Sequence, residues 1–252
     1  METFSGALAL GALALEASLL FRAAKGGFLS KYPLFFSYLG YVFAGSLVTL
    51  VIYLVRVDYY PSVYWFFYLI MLLAEFAVLT EASDHMFSPY PAIGRLGRFL
   101  TVWLAVVLAS IYILPSLFAP KSTSTALLDL AKRASLVKAA MIVILLVASR
   151  YYRLSLGRNI SGMILGFGIY LSVSVVNFAA ADAFGHFYAP ILKVLFPVSY
   201  TLCLIVWAAA LWRYEPALPV DQRVHELDRQ TAESLSSQLG RFNNALTRLL
   251  RR

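Results

Sequence analysis

Two glutamates interrupt long apolar stretches of this chain. Glu16 lies within the run Thr3–Phe21, and Glu75 lies within the run Ser62–Thr80. At bilayer depth a carboxyl group is costly, so it is either neutralised in place or used for proton relay or cation binding. Both side chains fall in the cytoplasmic half of their predicted helices and are therefore candidate proton or ion sites. The structural alternative is a protonated carboxyl group that hydrogen-bonds across a helical bundle.

A second polar set lies between residues 138 and 193. If its members converge near the outer boundary of the membrane, they would line a vestibule that opens to the periplasmic side and suits a small anionic or zwitterionic ligand. The alternative is structural, with lysines that snorkel to the surface and a simple Asp182–Lys193 pair. The set contains Lys138, Asn177, Asp182, His186 and Lys193.

Three further side chains, Glu81, Asp84 and His85, stand at positions i, i+3 and i+4 and thus on one helical face. Such a trio can ligate a divalent metal, and an intramembrane enzyme acting on lipid is the function it would serve. No fourth ligand is evident, so an ordinary helix end at the membrane interface is the interpretation we favour. The lone Cys203 and the lack of P-loop, HExxH, GxSxG or dinucleotide motifs lead us to predict no catalytic residue, metal or cofactor.

Membrane spans are the elements that hold these residues. The chain is 61% hydrophobic and 13% charged, with a mean hydropathy of +0.75, outside the range of soluble domains. Five runs of about twenty residues are almost free of charge, which matches the hydrocarbon thickness of a bilayer. Two weaker segments, around Glu75 and Lys138, bring the count to seven. The predicted spans cover approximately residues 3–22, 33–55, 62–83, 98–118, 132–150, 160–182 and 189–213.

The basic residues are distributed unevenly between the loops. Fifteen of the 21 fall on one side, in alternate loops and the C-terminal segment, and six fall on the other. The positive-inside rule places the N-terminus outside and the C-terminus in the cytoplasm. The same placement accounts for the net charge of +8, so we exclude nucleic acid as a partner and expect a lipid bilayer. Residues 1–214 are thus predicted to form an all-α, seven-helix transmembrane bundle.

Small and helix-breaking residues indicate how the spans pack. Gly162 and Gly166 form a GxxxG pattern in the sixth predicted span, and Pro197 should bend the seventh. We interpret the small-residue faces as packing surfaces within the bundle, with homodimerisation as the alternative. The first span carries four small residues on one face, namely Ala7, Gly11, Ala14 and Ser18.

Residues 215–252 have the character of a cytoplasmic amphipathic helix. Seven arginines occur from Arg213 to Arg252, so the helix could lie on the anionic inner leaflet, dock on the bundle or pair with a second copy. We expect no output domain after this segment, and we expect a signal to leave through a cytoplasmic or membrane protein partner. The apolar seam consists of Leu235, Leu239, Phe242, Leu246 and Leu249.

Three features carry a resemblance: the Lys31–Phe36 segment, the Leu156–Asn159 lead into a glycine-rich span, and the arginine-rich tail. In these the chain resembles uncharacterised bacterial seven-helix inner-membrane proteins. The resemblance implies a multi-pass protein of the bacterial inner (plasma) membrane and implies no activity.

The function we expect is that of a small sensory or ligand-binding protein that signals through a partner. The alternative is a small-solute or proton-coupled transporter, which Glu16, Glu75 and a weak internal likeness favour. In that likeness Leu39–Tyr41 corresponds to Leu165–Phe167, and Ser46 corresponds to Ser172.

Overall fold

The computed structural model describes residues 2–88, 123–151, 154, 156–185 and 189–215, with isolated residues between 102 and 110 and between 229 and 237. Within these ranges every regular element is helical. The elements are α1 (Glu2–Gly26), α2 (Pro33–Val55), a 3-10 turn (Val57–Tyr59), α3 (Tyr60–Phe87), α4 (Thr123–Tyr151), α5 (Arg158–Phe184) and α6 (Ala189–Leu211).

Five stretches of these helices are long and apolar enough to cross a membrane. The chain is therefore an all-helical membrane protein with five candidate spans among the described residues. The stretches are Gly6–Gly26, Pro33–Val55, Val57–Phe87, Arg158–Phe184 and Val194–Leu211.

The predicted boundaries agree with the helices to different degrees. The second predicted span coincides with α2, because Pro33 opens the helix and Arg56 follows its end. The helix that contains the fifth predicted span, α4, begins at Thr123, nine residues before that span, and it is not among the five candidate spans. Its first turns carry charged residues, so hydropathy marks only the apolar part of a longer helix. The predicted fourth span and the tail lie outside the described ranges apart from the isolated positions, which are helical.

The helices form a closed ring in chain order. Each helix from α1 to α6 packs against the next, α6 returns to pack against α1, and α3 also contacts α5 across the ring. The polar residues of interest therefore lie either inside this ring or on its rim.

Aromatic side chains fill one part of the interior, between α2, α5 and α6. The ring of Trp207 lies 4.9 Å from that of Phe35 and 4.8 Å from that of Phe167, and both contacts are edge-on. The ring of Tyr38 also belongs to this group, and its centroid lies 5.7 Å from that of Phe167. All four side chains are buried. Such edge-to-face pairs add packing energy where no water remains to be expelled.

The GxxxG pattern brings α5 close to α6. A Cβ atom added at Gly162 would collide with the Cβ of Ala210, and one added at Gly166 would collide with the indole of Trp207. Packing within the bundle is thus confirmed for this pattern. The prediction of packing within the bundle is wrong for the small-residue face of α1, where Ala7, Gly11 and Ala14 are exposed.

Asn159 joins the beginning of α5 to the end of α6. Its amide nitrogen donates to the carbonyl oxygens of Ala210 (2.9 Å) and Arg213 (2.8 Å), and its Oδ1 accepts from the N–H of Glu215 (2.8 Å). The last carbonyls of a helix have no partner within the helix. These bonds satisfy one such carbonyl, that of Ala210, and one just beyond the helix, and they fix the two helix ends together.

The end of α1 joins the same assembly. The Nε of Arg22 donates to the carbonyl oxygen of Trp212 at 3.0 Å, and the Lys31 ammonium lies 3.1 Å from the centre of the Tyr214 ring. Gly27, with a φ of +67°, lets the chain turn immediately after α1. We call this end of the bundle, where α1, α3 and α6 end and α2 and α5 begin, the basic end.

Candidate functional site: a buried ion pair beside a tyrosine-lined cavity

An ion pair between α3 and α4 lies inside the helical ring. The ammonium group of Lys138 donates to Oε2 of Glu75, and the two side chains are only 3% and 2% exposed. The second carboxylate oxygen, Oε1 of Glu75, is buried and has no hydrogen-bond partner among the described residues. Removing two charges from water costs several kcal/mol per ion, about as much as their mutual attraction returns. Stability alone therefore does not explain the pair.

A cavity of about 140 Å³ lies between α2, α3 and α5. Glu75 follows Met71 of the cavity wall by one turn on the same face of α3, and neither Glu75 nor Lys138 is itself part of the wall. The wall consists of Tyr41, Val42, Gly45, Ser46, Thr49, Tyr64, Phe67, Tyr68, Met71 and Tyr170.

Hydrogen bonds in the wall leave some of its hydroxyl groups unused. Tyr41 donates to the carbonyl oxygen of Phe67 at 3.3 Å, and Thr49 donates to carbonyls of its own helix. Among the described residues, the hydroxyls of Tyr68 and Tyr170 make no such bond. The cavity thus offers aromatic faces and free hydroxyl groups beside a buried carboxylate.

Glu16 belongs to a second polar contact, between α1 and α6. The hydroxyl of Tyr200 donates to Oε1 of Glu16 at 2.6 Å, while the buried Oε2 has no partner in the described part of the chain. The ring of Tyr200 lies 5.9 Å from that of Tyr170, which faces the cavity. Glu16 thus makes the hydrogen bond across the bundle that was its structural alternative, and Glu75 instead holds a lysine.

The described vestibule residues belong to different contacts. Lys138 is buried against Glu75 and does not snorkel to the surface, and Asn177 is also buried. Asp182 pairs with Lys132, at 63% and 23% exposure. His186 and the side chain of Lys193 lie outside the described residues.

The relative depth of Glu75 and Lys138 was also predicted wrongly. The sequence placed Glu75 in the cytoplasmic half of its span and Lys138 near the outer boundary, whereas their contact requires one common depth. The early start of α4 explains the difference, because it places two further turns of helix between Lys138 and the helix end.

Of the three residues near the end of α3 that could ligate a metal, Glu81 and His85 make hydrogen bonds at the basic end of the bundle. Glu81 accepts hydrogen bonds from the backbone N–H groups of Leu34 (3.0 Å) and Phe35 (2.8 Å), which are unpaired donors in the first turn of α2. His85 donates from Nε2 to the carbonyl oxygen of Lys31 at 2.8 Å. Within the described ranges no group of three metal-ligating side chains is arranged to hold an ion.

Tyr32 lies in the same connection, just before α2. Its ring packs edge-on against His85 at 4.9 Å. Burial, with smaller contributions from Tyr214 and Glu81, raises the pKa of Tyr32 to about 12. The phenol of Tyr32 therefore stays neutral at physiological pH. Packing and hydrogen bonds, rather than a charge on Tyr32, hold this connection in place.

Sequence reasoning missed the tyrosines that line the cavity. A signal was present on α3, where Tyr64, Tyr68 and Glu75 are spaced by four and seven residues and so share one face. The partners on α2 and α5 become visible only once the helices are packed. The two serines that the proposed internal likeness aligns lie in different environments, since Ser46 lines the cavity and Ser172 is exposed.

Comparison of the chain with protein families, with curated proteins and with solved structures finds no match.

Proposed function

We propose that this chain is a small sensory protein of the bacterial inner membrane that binds a small ligand inside its bundle and signals through a partner. The buried Glu75–Lys138 pair beside the cavity is the observation that carries the proposal. Ionisable residues at membrane depth are rare and mark ligand or ion pathways. A ligand in the cavity that moves α3 would change the contact between α3 and α4.

The cavity supports ligand binding by its size and its position. Its volume of about 140 Å³ exceeds the roughly 30 Å³ that one water occupies in the liquid, so a molecule of several heavy atoms fits. The wall comes from three helices, α2, α3 and α5. Occupancy would therefore change how these helices pack, which is what a sensor requires.

A seven-span topology is part of the proposal and accords with how the helix ends are placed. Glu81, near the end of α3, bonds to the start of α2 at the basic end. Lys132, near the start of α4, pairs with Asp182 near the end of α5, and that is the opposite end of the bundle. The proposal adds two spans to the five candidates: a membrane-spanning α4 and the predicted span 98–118, most of which lies outside the described residues.

The orientation and the route of the signal complete the proposal. Arg22, Lys31 and Arg158 lie at the basic end, which the positive-inside rule assigns to the cytoplasm. The N-terminus is then outside, and residues 215–252 start at the cytoplasmic face. That segment is the part of the chain we propose to contact the partner.

A ligand screen with a cavity-filling variant tests ligand binding. The purified full chain in nanodiscs is heated with neutral, cationic, anionic and zwitterionic small molecules, and the melting temperature is recorded. Ser46→Phe fills the cavity and should abolish any ligand-induced shift. Leu47→Phe on the exposed face of the same helix should preserve it. An equal shift in both variants, or no shift with any compound, would contradict the proposal.

Deletion of residues 220–252 tests the signalling part. The truncated chain should bind the same ligands while losing the ligand-dependent cross-links that the full chain forms with neighbouring proteins in native membranes. Retention of all phenotypes and cross-links after the deletion would count against a role for the tail.

A proton-coupled transporter is the second candidate, and the Glu16–Tyr200 contact favours it. Glu16 and Glu75 are two buried carboxylates, each with one oxygen that bonds to no described residue, and the Tyr200 that binds Glu16 packs against Tyr170. Proteoliposomes with an imposed pH gradient test this by uptake of a labelled compound that the screen identifies. Absence of pH-dependent uptake, with Glu75→Gln equal to the wild type, would remove this candidate.

A further inference from the structure

The ligand class follows from the residues that line the cavity between α2, α3 and α5. We infer that the cavity binds an uncharged aromatic molecule of about one six-membered ring that carries a hydrogen-bonding group. This inference rests on the proposed ligand-binding function and names the chemistry of the ligand. It places the ligand against the cavity wall and not against the Glu75–Lys138 pair, neither member of which lines the cavity.

The position of the cavity and the composition of its wall disfavour a charged ligand. All ten lining residues belong to three of the candidate membrane spans, namely Pro33–Val55, Val57–Phe87 and Arg158–Phe184. Among the lining residues that the structure describes, none is Asp, Glu, Lys or Arg. A charged solute would lose its hydration here without gaining a counter-charge, which is strongly unfavourable. The wall therefore selects for an uncharged ligand.

Aromatic rings account for half of the lining residues. The rings of Tyr64 and Tyr68, on successive turns of α3, lie nearly parallel with centroids 6.0 Å apart. The centroid of Phe67 lies 5.4 Å from that of Tyr41 on α2, and Tyr170 of α5 completes the set. Pairs of aromatic rings gain energy beyond what the burial of their area gives. A ligand with an aromatic ring can make such contacts with the wall, and an aliphatic ligand of the same size cannot.

The ring of Phe67 has a fixed place in this wall because α2 carries a glycine opposite to it. A Cβ atom added at Gly45 would lie 2.8 Å from Cδ1 of Phe67, so only a glycine lets the ring pack this closely against α2. A wall that is formed before binding spares the ligand the entropic cost of ordering it.

The volume of the cavity sets the size of the ligand. Its volume of about 140 Å³ is close to the roughly 150 Å³ of an apolar cavity that takes up one benzene molecule. A single six-membered ring with one small substituent therefore fits, and a ligand with two fused rings is too large unless the helices move.

Hydroxyl groups of the wall provide for the substituent. The hydroxyls of Tyr68 and Tyr170 bond to no described residue, and each can donate one hydrogen bond and accept others. A polar group that is withdrawn from water without a partner lowers stability, so a ligand with a hydroxyl or N–H group gains by bonding to them. A lipid acyl chain offers no such group, and a free ligand is therefore the occupant we infer.

Four compounds built on a six-membered ring separate the alternatives. Phenol has the inferred chemistry, cyclohexanol lacks the aromatic ring, toluene lacks the hydroxyl group, and N-methylpyridinium carries a charge. Binding to the full chain in nanodiscs is measured by equilibrium dialysis, and binding to empty nanodiscs is subtracted to account for partition into lipid. Phenol should bind at least about fivefold more tightly than cyclohexanol or toluene, a difference of about 1 kcal/mol. N-methylpyridinium should not bind.

Two neighbouring residues of α3 test the contribution of the aromatic wall. Phe67→Leu removes a ring from the wall, so phenol binding should weaken several-fold while cyclohexanol binding stays unchanged. Phe66→Leu makes the same substitution one residue earlier, at a side chain that is 61% exposed, and its phenol binding should equal that of the wild type.

Removal of hydroxyl groups tests the hydrogen bond. The combined variant Tyr68→Phe and Tyr170→Phe keeps both rings, so phenol should bind it no more tightly than toluene does, and toluene binding should not change. Tyr53→Phe removes a hydroxyl from a side chain of α2 that is 58% exposed, and it should preserve the preference for phenol.

The outcomes distinguish this inference from the proposed function. If cyclohexanol, toluene or N-methylpyridinium binds the wild type as tightly as phenol does, and Ser46→Phe abolishes that binding, the inferred ligand class is wrong and the ligand site stands. If none of the four binds while other compounds give thermal shifts that Ser46→Phe removes, the ligand class is again wrong and the site stands. If no compound of any class binds, both are wrong.

Discussion

Lys138 and Glu75 form an ion pair that is almost completely shielded from solvent and joins α4 to α3. A second lysine of α4, Lys132, pairs with Asp182 of α5, where both side chains are partly exposed. The chain therefore contains two pairs of one chemistry in two environments. Comparison of the two separates the effect of burial from the effect of charge.

Breaking the buried pair should destabilise the bundle far more than breaking the exposed one. Glu75→Gln or Lys138→Met leaves one buried charge unpaired, and we expect a loss of about 3–5 kcal/mol in the free energy of unfolding. Lys132→Met should cost about 0–1 kcal/mol. The measurement is reversible denaturation in mixed micelles.

The double variant of the buried pair tests whether the unpaired charge causes the loss of stability. Glu75→Gln combined with Lys138→Met removes both charges, so most of the lost stability should return. Additive losses in the double variant would show that the charges do not act on each other as the contact implies.

Glycine packing between α5 and α6 gives a second prediction. Gly166→Ala directs a methyl group at the Trp207 indole, and Gly162→Ala directs one at Ala210, so each should cost about 1–3 kcal/mol. Gly168→Ala is the control, since its new Cβ would lie 3.8 Å from Ile142, an ordinary contact. Thermal unfolding in detergent gives the comparison, and Ala210→Gly should partly rescue Gly162→Ala. Equal stability of all three single variants would contradict the close approach of the helices.

The Glu81 carboxylate should hold the first turn of α2. Glu81→Ala removes the acceptor for the N–H groups of Leu34 and Phe35, so α2 should fray and the bundle should lose about 1–2 kcal/mol. Amide hydrogen exchange should accelerate at these two residues. Asp182→Ala, which removes a carboxylate at the opposite end, should leave their exchange unchanged.

The bond between Tyr200 and Glu16 gives a fourth prediction. Tyr200→Phe leaves a buried carboxyl group with neither oxygen bonded to a described residue, so we expect a loss of about 1–3 kcal/mol. Tyr170→Phe is the matched control, because that hydroxyl bonds to no described residue and its removal should change stability little. Unfolding of both variants under one condition gives the comparison. Greater destabilisation by Tyr170→Phe would contradict the assignment.

Much of the architecture was predictable from particular residues. The ends of α2 were marked by Pro33 and Arg56, and the close contact of α5 with α6 was marked by Gly162 and Gly166. Span length and apolarity are sums over one segment, so they need no knowledge of neighbouring helices. The sequence alone therefore determined that the protein is helical and membrane-spanning, and it singled out Glu16 and Glu75 as carboxyl groups within apolar spans.

Only the tertiary structure decided what these groups contact. The partner of Glu75 lies 63 residues away in the chain, and the partner of Glu16 lies 184 residues away. Which lysine or tyrosine reaches a carboxylate depends on the order of helices around the ring and on their relative depth, and hydropathy is insensitive to both. The cavity beside Glu75 has the same origin, because its wall is drawn from three helices whose residues meet only after packing.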